Sequence, residues 1–244
     1  MHKFFLAGSN ISKGLAVIRG SDLNHMTVLR MKVGDHMLVC DGNGGEYTCR
    51  LSKIESDFAE AEVLGKSKNK TEASIQASII AGMPKGDRAD FIVQKCTELG
   101  AADILFFLSE RSVSRPDPKA LGKRITRWNR IAEEAAKQSG RGLIPRVSAV
   151  SGFTEALDFA KKAMLTLFMY ETGARLPIKD ALNSAGEFDS VSIVTGPEGG
   201  FEKYEADIAG HYGGRICSCG PRILRCETAP VAVLAAVMYH TGNM

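Results

Sequence analysis

Val191-Ser192-Ile193-Val194-Thr195-Gly196-Pro197-Glu198-Gly199-Gly200-Phe201 runs from an apolar, β-branched stretch into a glycine-rich turn. A helical pattern follows over residues 202–211. A buried strand, a tight turn and a helix in this order make one unit of a parallel α/β sheet. Such sheets bind ligands at the loops leaving the carboxyl ends of their strands. The glycines allow close approach to the main chain, and the helix start offers unpaired N–H groups. The turn is neither a Walker loop, having no Gly-Lys-Ser/Thr, nor a GxGxxG fingerprint, so a nucleotide phosphate is not its expected ligand.

A second strand-to-helix segment lies close behind: Cys217-Ser218-Cys219-Gly220-Pro221-Arg222-Ile223-Leu224-Arg225-Cys226-Glu227-Thr228-Ala229. Its Gly-Pro turn is followed by two arginines three apart, and Glu-Thr opens an apolar helix over 228–240. Working back, strands are expected over 74–83, 103–108, 165–169, 191–195 and 215–218, with helices over 88–99, 119–139 and 202–211. Asp87 is expected to cap the first of these helices. Strands separated by helices over 73–244 predict a mostly parallel sheet covered on both faces.

Residues 1–70 read differently. Short alternating runs are separated by turn residues, with a hairpin signal at Asp41-Gly42-Asn43-Gly44-Gly45 and one helix over 21–31. A small β-barrel domain is expected over 1–70, and the polar, lysine-rich stretch 65–72 is expected to link it to the α/β domain over 73–244.

The 244 residues are 44% hydrophobic with a net charge of +3, which excludes a disordered or polybasic chain. No apolar run reaches the ~20 residues of a spanning helix, and the opening residues lack a signal-peptide core, so a cytoplasmic protein without membrane attachment is expected. Six scattered cysteines suit buried thiols in a reducing compartment. Cys217, Cys219 and Cys226 lack a standard zinc spacing and the five histidines are dispersed, so no metal is expected.

The charge is not evenly spread. Between Arg111 and Arg146 there are ten Lys/Arg against three acids. At about 100° per residue, Lys119, Lys123, Arg127, Arg130 and Lys137 share one face of the 119–139 helix, opposite Leu121, Ile125 and Trp128. Such a row is either a solvated face or a surface that tracks phosphates by counterion release.

Together, GPEGGF, CGPRILRCETA, KQSGRGLIP, the early VLRMKVGD and Met83-Pro84-Lys85-Gly86-Asp87 resemble the RsmE-type small-subunit ribosomal RNA uridine N3-methyltransferases over nearly the whole chain. The resemblance implies a fold of the α/β class: a C-terminal SPOUT trefoil-knot methyltransferase domain behind a small PUA-like RNA-binding β-barrel domain. It implies a homodimer acting on 16S ribosomal RNA or the small ribosomal subunit, with S-adenosyl-L-methionine as methyl donor. Three loops would hold the donor: Met169, Tyr170 and Glu171; Thr195, Gly196, Pro197, Gly199 and Gly200; and Cys219, Gly220, Arg222 and Leu224. Cys219 stands where the family commonly has leucine. Arg30, Lys123, Arg127, Arg130 and Arg141 are the expected RNA contacts.

The acceptor so implied, N3 of uracil, is a weak acid. Its attack on a methyl group requires the proton to be lost or polarised. Arg222 and Arg225 are the expected stabilisers of the developing charge. Glu227 is the candidate proton acceptor, with Glu198 as its alternative; the blander reading of Glu227, and the one its position favours, is a helix-start carboxylate that orients an arginine. N3 is buried in a duplex, so the base must be unpaired or flipped out. The rival readings are a knotted methyltransferase of transfer RNA or another ribosomal position, and a non-catalytic RNA clamp in ribosome assembly.

Overall fold

The structure, a computed structural model, describes residues 1–6, 8–173 and 175–244. The chain divides into two units, Met1–Glu72 with Ala136–Ile144, and Ala73–Ala135 with Pro145–Met244.

The first unit contains β1 (His2–Phe5), β2 (Ile11–Ser12), β3 (Leu15–Ile18), α1 (Gly20–Val28), β4 (His36–Cys40), β5 (Gly45–Ile54) and β6 (Ala59–Lys68). The strands form one sheet in the order β1-β4-β5-β6-β3-β2, parallel only at β1–β4. Period-2 alternation turns Phe4, Ala16, Ile18, Met37, Val39, Cys49, Leu51, Ala59 and Ala61 inward, where Met26 of α1 joins them. The 65–72 stretch is not wholly a linker. Gly65–Lys68 extend β6 and pair with Gly45–Thr48 of β5, because the ladder proceeds past a bulge between Thr48 and Cys49. The α1 helix ends three residues earlier than expected, at a turn where Arg30 adopts φ 54°.

Residues 136–144 belong to this unit through polar contacts. Lys3 Nζ, its side chain 8% exposed, lies 2.7 Å from Glu46 Oε2 and donates to the Gly140 carbonyl at 2.6 Å. Glu72 accepts from Arg141 Nη2 at 2.7 Å and from the Gly142 and Leu143 N–H groups at 2.8 and 3.0 Å.

The second unit contains β7 (Gln76–Gly82), α2 (Arg88–Glu98), β8 (Asp103–Phe107), most of α3 (Pro118–Gln138), β9 (Arg146–Val150), α4 (Phe153–Ala160), β10 (Leu165–Met169), β11 (Leu176–Pro177), α5 (Ile178–Asn183), β12 (Ser190–Thr195), α6 (Lys203–His211), β13 (Arg215–Ser218) and α7 (Thr228–His240). Its sheet has the order β11-β13-β10-β12-β7-β8-β9, with every neighbouring pair parallel. Ile80, Leu105, Phe107, Phe168 and Val194 face α4 and α6. Their chain neighbours alternate to the other face, where α7 covers β7 and β12 and Trp128 packs on Phe106 at 4.6 Å.

Asp87 precedes α2 without a capping hydrogen bond from its side chain, contrary to expectation. The side chain instead lies 3.7 Å from Arg127 Nη2.

Candidate active site

The carboxyl ends of β10, β12 and β13 open into a cavity of about 390 Å³. That size suits a small organic ligand. Its walls are Met169, Tyr170 and Glu171 after β10, Thr195, Gly196, Pro197, Glu198 and Gly200 after β12, and the segment Cys217–Glu227 after β13. The residues that sequence reading assigned to three separate loops are therefore brought together in one place, with Gly199 just behind the wall.

Packing fixes the turn after β12. Phe201, 2% exposed, sits on Phe168 at 4.4 Å and is flanked by Phe107 and Phe153. Removing a buried ring of this kind costs about 3–5 kcal/mol. The glycines preceding it are required by protein atoms as much as by any ligand. A Cβ on Gly199 would lie 2.9 Å from Arg111 Cβ, and one on Gly200, at φ 68°, would collide with the Glu171 carboxylate. A Cβ on Gly196 would come within 3.2 Å of Gly200 and Phe201. Arg111 also donates to the Gly199 carbonyl at 3.1 Å and to Glu202 Oε1 at 2.6 Å. Glu202 and Glu205 cap α6 reciprocally.

Polar groups line the cavity unevenly. Thr195 Oγ1 is the buried side-chain oxygen that lacks a hydrogen-bond partner among the described residues. Glu198 is ion-paired to Arg88 of α2 and accepts the Lys85 N–H at 2.8 Å. Burial pushes the Glu198 carboxyl up, but the Lys85 N–H and the Arg88 guanidinium outweigh it and hold the group below the ordinary carboxylate range. Glu227 lies 3.5 Å from Arg88 Nε and accepts from the Cys226 thiol at 3.2 Å. Burial and the Glu227 hydrogen bond push that thiol up to about 12. Cys217 rises to about 11, chiefly through burial, so these cavity thiols stay protonated at neutral pH.

Arg222 and Arg225 stand exposed on the cavity's rim, and neither is ion-paired among the described residues. Arg88 is the functional candidate that sequence reading missed. It follows the Met83–Asp87 turn, far along the chain from the loops whose glutamates it holds, and only the β7–β12 pairing brings it there.

Among the expected RNA contacts, Arg30, Lys123, Arg127 and Arg130 are exposed. Arg127 is ion-paired to Asp90, which also accepts the Trp128 indole N–H at 3.1 Å. Arg141 departs from expectation. It is only 4% exposed and its guanidinium lies on Glu72, because the 139–142 turn folds into the first unit. Lys137 of the cationic row likewise lies 3.0 Å from Asp22. Among the described residues no cluster of His, Cys, Asp and Glu could hold a metal, and no helix is long and apolar enough to cross a membrane.

Two family models match the chain, an RNA methyltransferase domain over residues 71–238 and an RNA methyltransferase PUA domain over residues 18–64. The chain is 37% identical over 229 residues to ribosomal RNA small subunit methyltransferase E of Bacillus subtilis, covering 92% of this chain and 90% of that protein. It is 29% identical to the protein of the same name from Synechocystis, covering 97% and 77%. A solved structure of ribosomal RNA small subunit methyltransferase E from Neisseria gonorrhoeae, bound to S-adenosyl methionine, superposes with a TM-score of 0.86 at 33% identity, covering 98% of this chain and 97% of that one. The architecture is thus a PUA-like domain joined to a parallel-sheet methyltransferase domain.

Proposed function

Since this chain belongs to the RNA methyltransferase family whose curated members are named ribosomal RNA small subunit methyltransferase E, we propose that it transfers a methyl group from S-adenosyl-L-methionine to N3 of a uridine in the decoding region of 16S ribosomal RNA. The observation that carries this reading is the convergence of three strand-end loops on one cavity, floored by an unpartnered Thr195 hydroxyl and rimmed by two exposed arginines.

The residues present fit the donor. Met169 and Leu224 offer apolar surface for an adenine, the main chain of 196–200 and 219–224 offers polar contacts, and Thr195 Oγ1 offers a buried hydrogen-bonding group. When bound, S-adenosylmethionine supplies an electrophilic methyl group on a sulfonium. The protein's own part is orientation and charge. Arg222 and Arg225 stabilise negative charge developing on the uracil oxygens, because a guanidinium donates fixed hydrogen bonds and stays charged. Glu227 accepts the N3 proton. Glu198 is the poorer acceptor because its carboxylate is already occupied by Arg88 and the Lys85 N–H. Holding the reacting atoms in line supplies the remaining acceleration.

Arg30 in the first unit and Lys123 and Arg130 on α3 contact RNA phosphates in this reading. The active species is a cytoplasmic homodimer, a reading supported by α7, which is apolar along most of its length yet leaves Tyr239 77% exposed. The closing segment is read as the trefoil knot. The placement of β13 between β10 and β11 supports that reading.

The test is methyl transfer from tritiated S-adenosylmethionine to isolated small subunits, free 16S RNA and transfer RNA, with the modified nucleotide located by mass spectrometry. Label at N3 of one 16S uridine is expected. Label on transfer RNA alone rejects the assignment.

A further inference from the structure

Two of the three loops that frame the cavity, those after β12 and β13, each contribute a glutamate that meets Arg88 at the start of α2. The Arg88 Nη1 group donates to Glu198 Oε1, and Nε lies 3.5 Å from Glu227 Oε2. The two contacts are unequal. Glu198 is held by the guanidinium and by the Lys85 main-chain N–H at 2.8 Å. Among the described residues Glu227 has the longer guanidinium contact and the Cys226 thiol, a weak donor, at 3.2 Å. One cation facing two carboxylates leaves a surplus negative charge, and it rests on the more loosely held Glu227. Because the guanidinium is planar, anchoring its Nη1 on Glu198 sets the direction in which Nε faces Glu227.

We propose that Arg88 is a positioning residue: braced by Glu198, it fixes the Glu227 carboxylate at the cavity wall so that Glu227 takes the proton of the acceptor nitrogen. This rests on the methyl-transfer reading above. In the step concerned the N3–H bond breaks and its proton moves to Glu227. The electron pair left on N3 forms the new bond to the methyl carbon, and the pair of the broken carbon–sulfur bond stays on sulfur. Glu227 afterwards returns the proton to water. Glu198 undergoes no chemistry.

The test compares Arg88→Ala, Arg88→Lys, Glu198→Gln, Glu227→Gln and the Arg88→Ala/Glu227→Gln double variant in the full chain. Thermal unfolding checks the fold, and titration calorimetry with S-adenosylmethionine measures donor affinity. Single-turnover methyl transfer is followed on whichever of small subunits, 16S RNA or transfer RNA the wild type labels. Arg88→Ala is expected to slow transfer by about 100-fold, in the range of a lost general base, while donor affinity stays within about threefold, roughly half of a tenfold step in free energy. Arg88→Lys should recover part of the rate and Glu198→Gln should fall between wild type and Arg88→Ala. In the double variant the arginine change should add little to Glu227→Gln, since both act through one group.

Fully multiplicative losses, or a fall in donor affinity equal to the fall in rate, overturn the proposal and make Arg88 a strut between the loops. Label from the wild type on transfer RNA alone rejects the substrate reading while leaving the Arg88 comparison intact. Absence of label on every RNA overturns both.

Discussion

Arg111 grips Gly199 from outside the cavity: its guanidinium donates to the Gly199 carbonyl at 3.1 Å, and its Cβ would lie 2.9 Å from a Cβ added to that glycine. The turn that faces the cavity is therefore shaped by a residue that does not line it. Gly199→Val must push the turn off Arg111 and is expected to abolish donor binding while residues 1–72 stay folded. Arg111→Ala removes one hydrogen bond from Gly199 and the ion pair to Glu202, and should weaken donor binding about fivefold, the scale of one lost hydrogen bond. Calorimetry with S-adenosylmethionine measures both; undiminished affinity in the pair would show that this turn is not the donor's cradle.

Arg30 occupies the left-handed region at φ 54° where a helix-ending turn usually places glycine, and its N–H donates to the Thr27 carbonyl at 3.0 Å. A non-glycine side chain there costs about 1 kcal/mol. Arg30→Gly should therefore raise the unfolding midpoint by about 2–4 °C and weaken RNA binding, with the salt slope reduced by about 1. A stabilised variant that binds RNA as tightly as the wild type would make the strain irrelevant to RNA.

The cationic face of α3 is not uniform. Lys123 and Arg130 are exposed, whereas Arg127 is engaged by Asp90. Reversing Lys123 and Arg130 to Glu should reduce the slope of log affinity against log salt by about 2. Arg127→Gln should have a smaller effect on the slope. An unchanged slope in the Lys123/Arg130 variant reduces the face to a solvated surface.

Glu46 carries a pH dependence. Burial raises its carboxyl, but hydrogen bonds from Lys3 and Asn69 outweigh it and leave the group below the ordinary range. A carboxyl lowered in the folded state stabilises the protein above its unfolded value of 4.5 and loses that contribution as pH falls through the lower folded value. Glu46→Gln should lower the unfolding midpoint at pH 7, and the gap from wild type should close below about pH 4. A gap that stays constant down to pH 3 would show that the Lys3 pair does not govern it.

The elements with strong periodicity were legible. The strand 165–169 and the helix 228–240 are legible to the residue, since a buried parallel strand and an apolar helix announce themselves in hydropathy. The two-residue β11, the six-residue α5 and the β9–α4 pair are not legible, because β11 and α5 are too short to carry a pattern and β9, an edge strand with one fully buried residue, lacks the continuous apolar run that marks β10. At the site, the glycine turns and rim arginines stood out as loops following strands. Arg88 did not, because its role depends on glutamates 110 and 139 positions away. Arg141 misled for the opposite reason. A cation after a basic helix reads as surface, and its partner Glu72 lies 69 residues earlier.

The inclusion of 136–144 in the first unit means that no single cut releases two intact fragments. One beginning at Ala73 carries Arg141 without Glu72; one ending at Glu72 carries Lys3 without the Gly140 carbonyl. Grafting the amino-terminal unit from one relative onto another would have to transplant this internal segment as well, so the two units are interlocked as hereditary parts although they fold around separate cores.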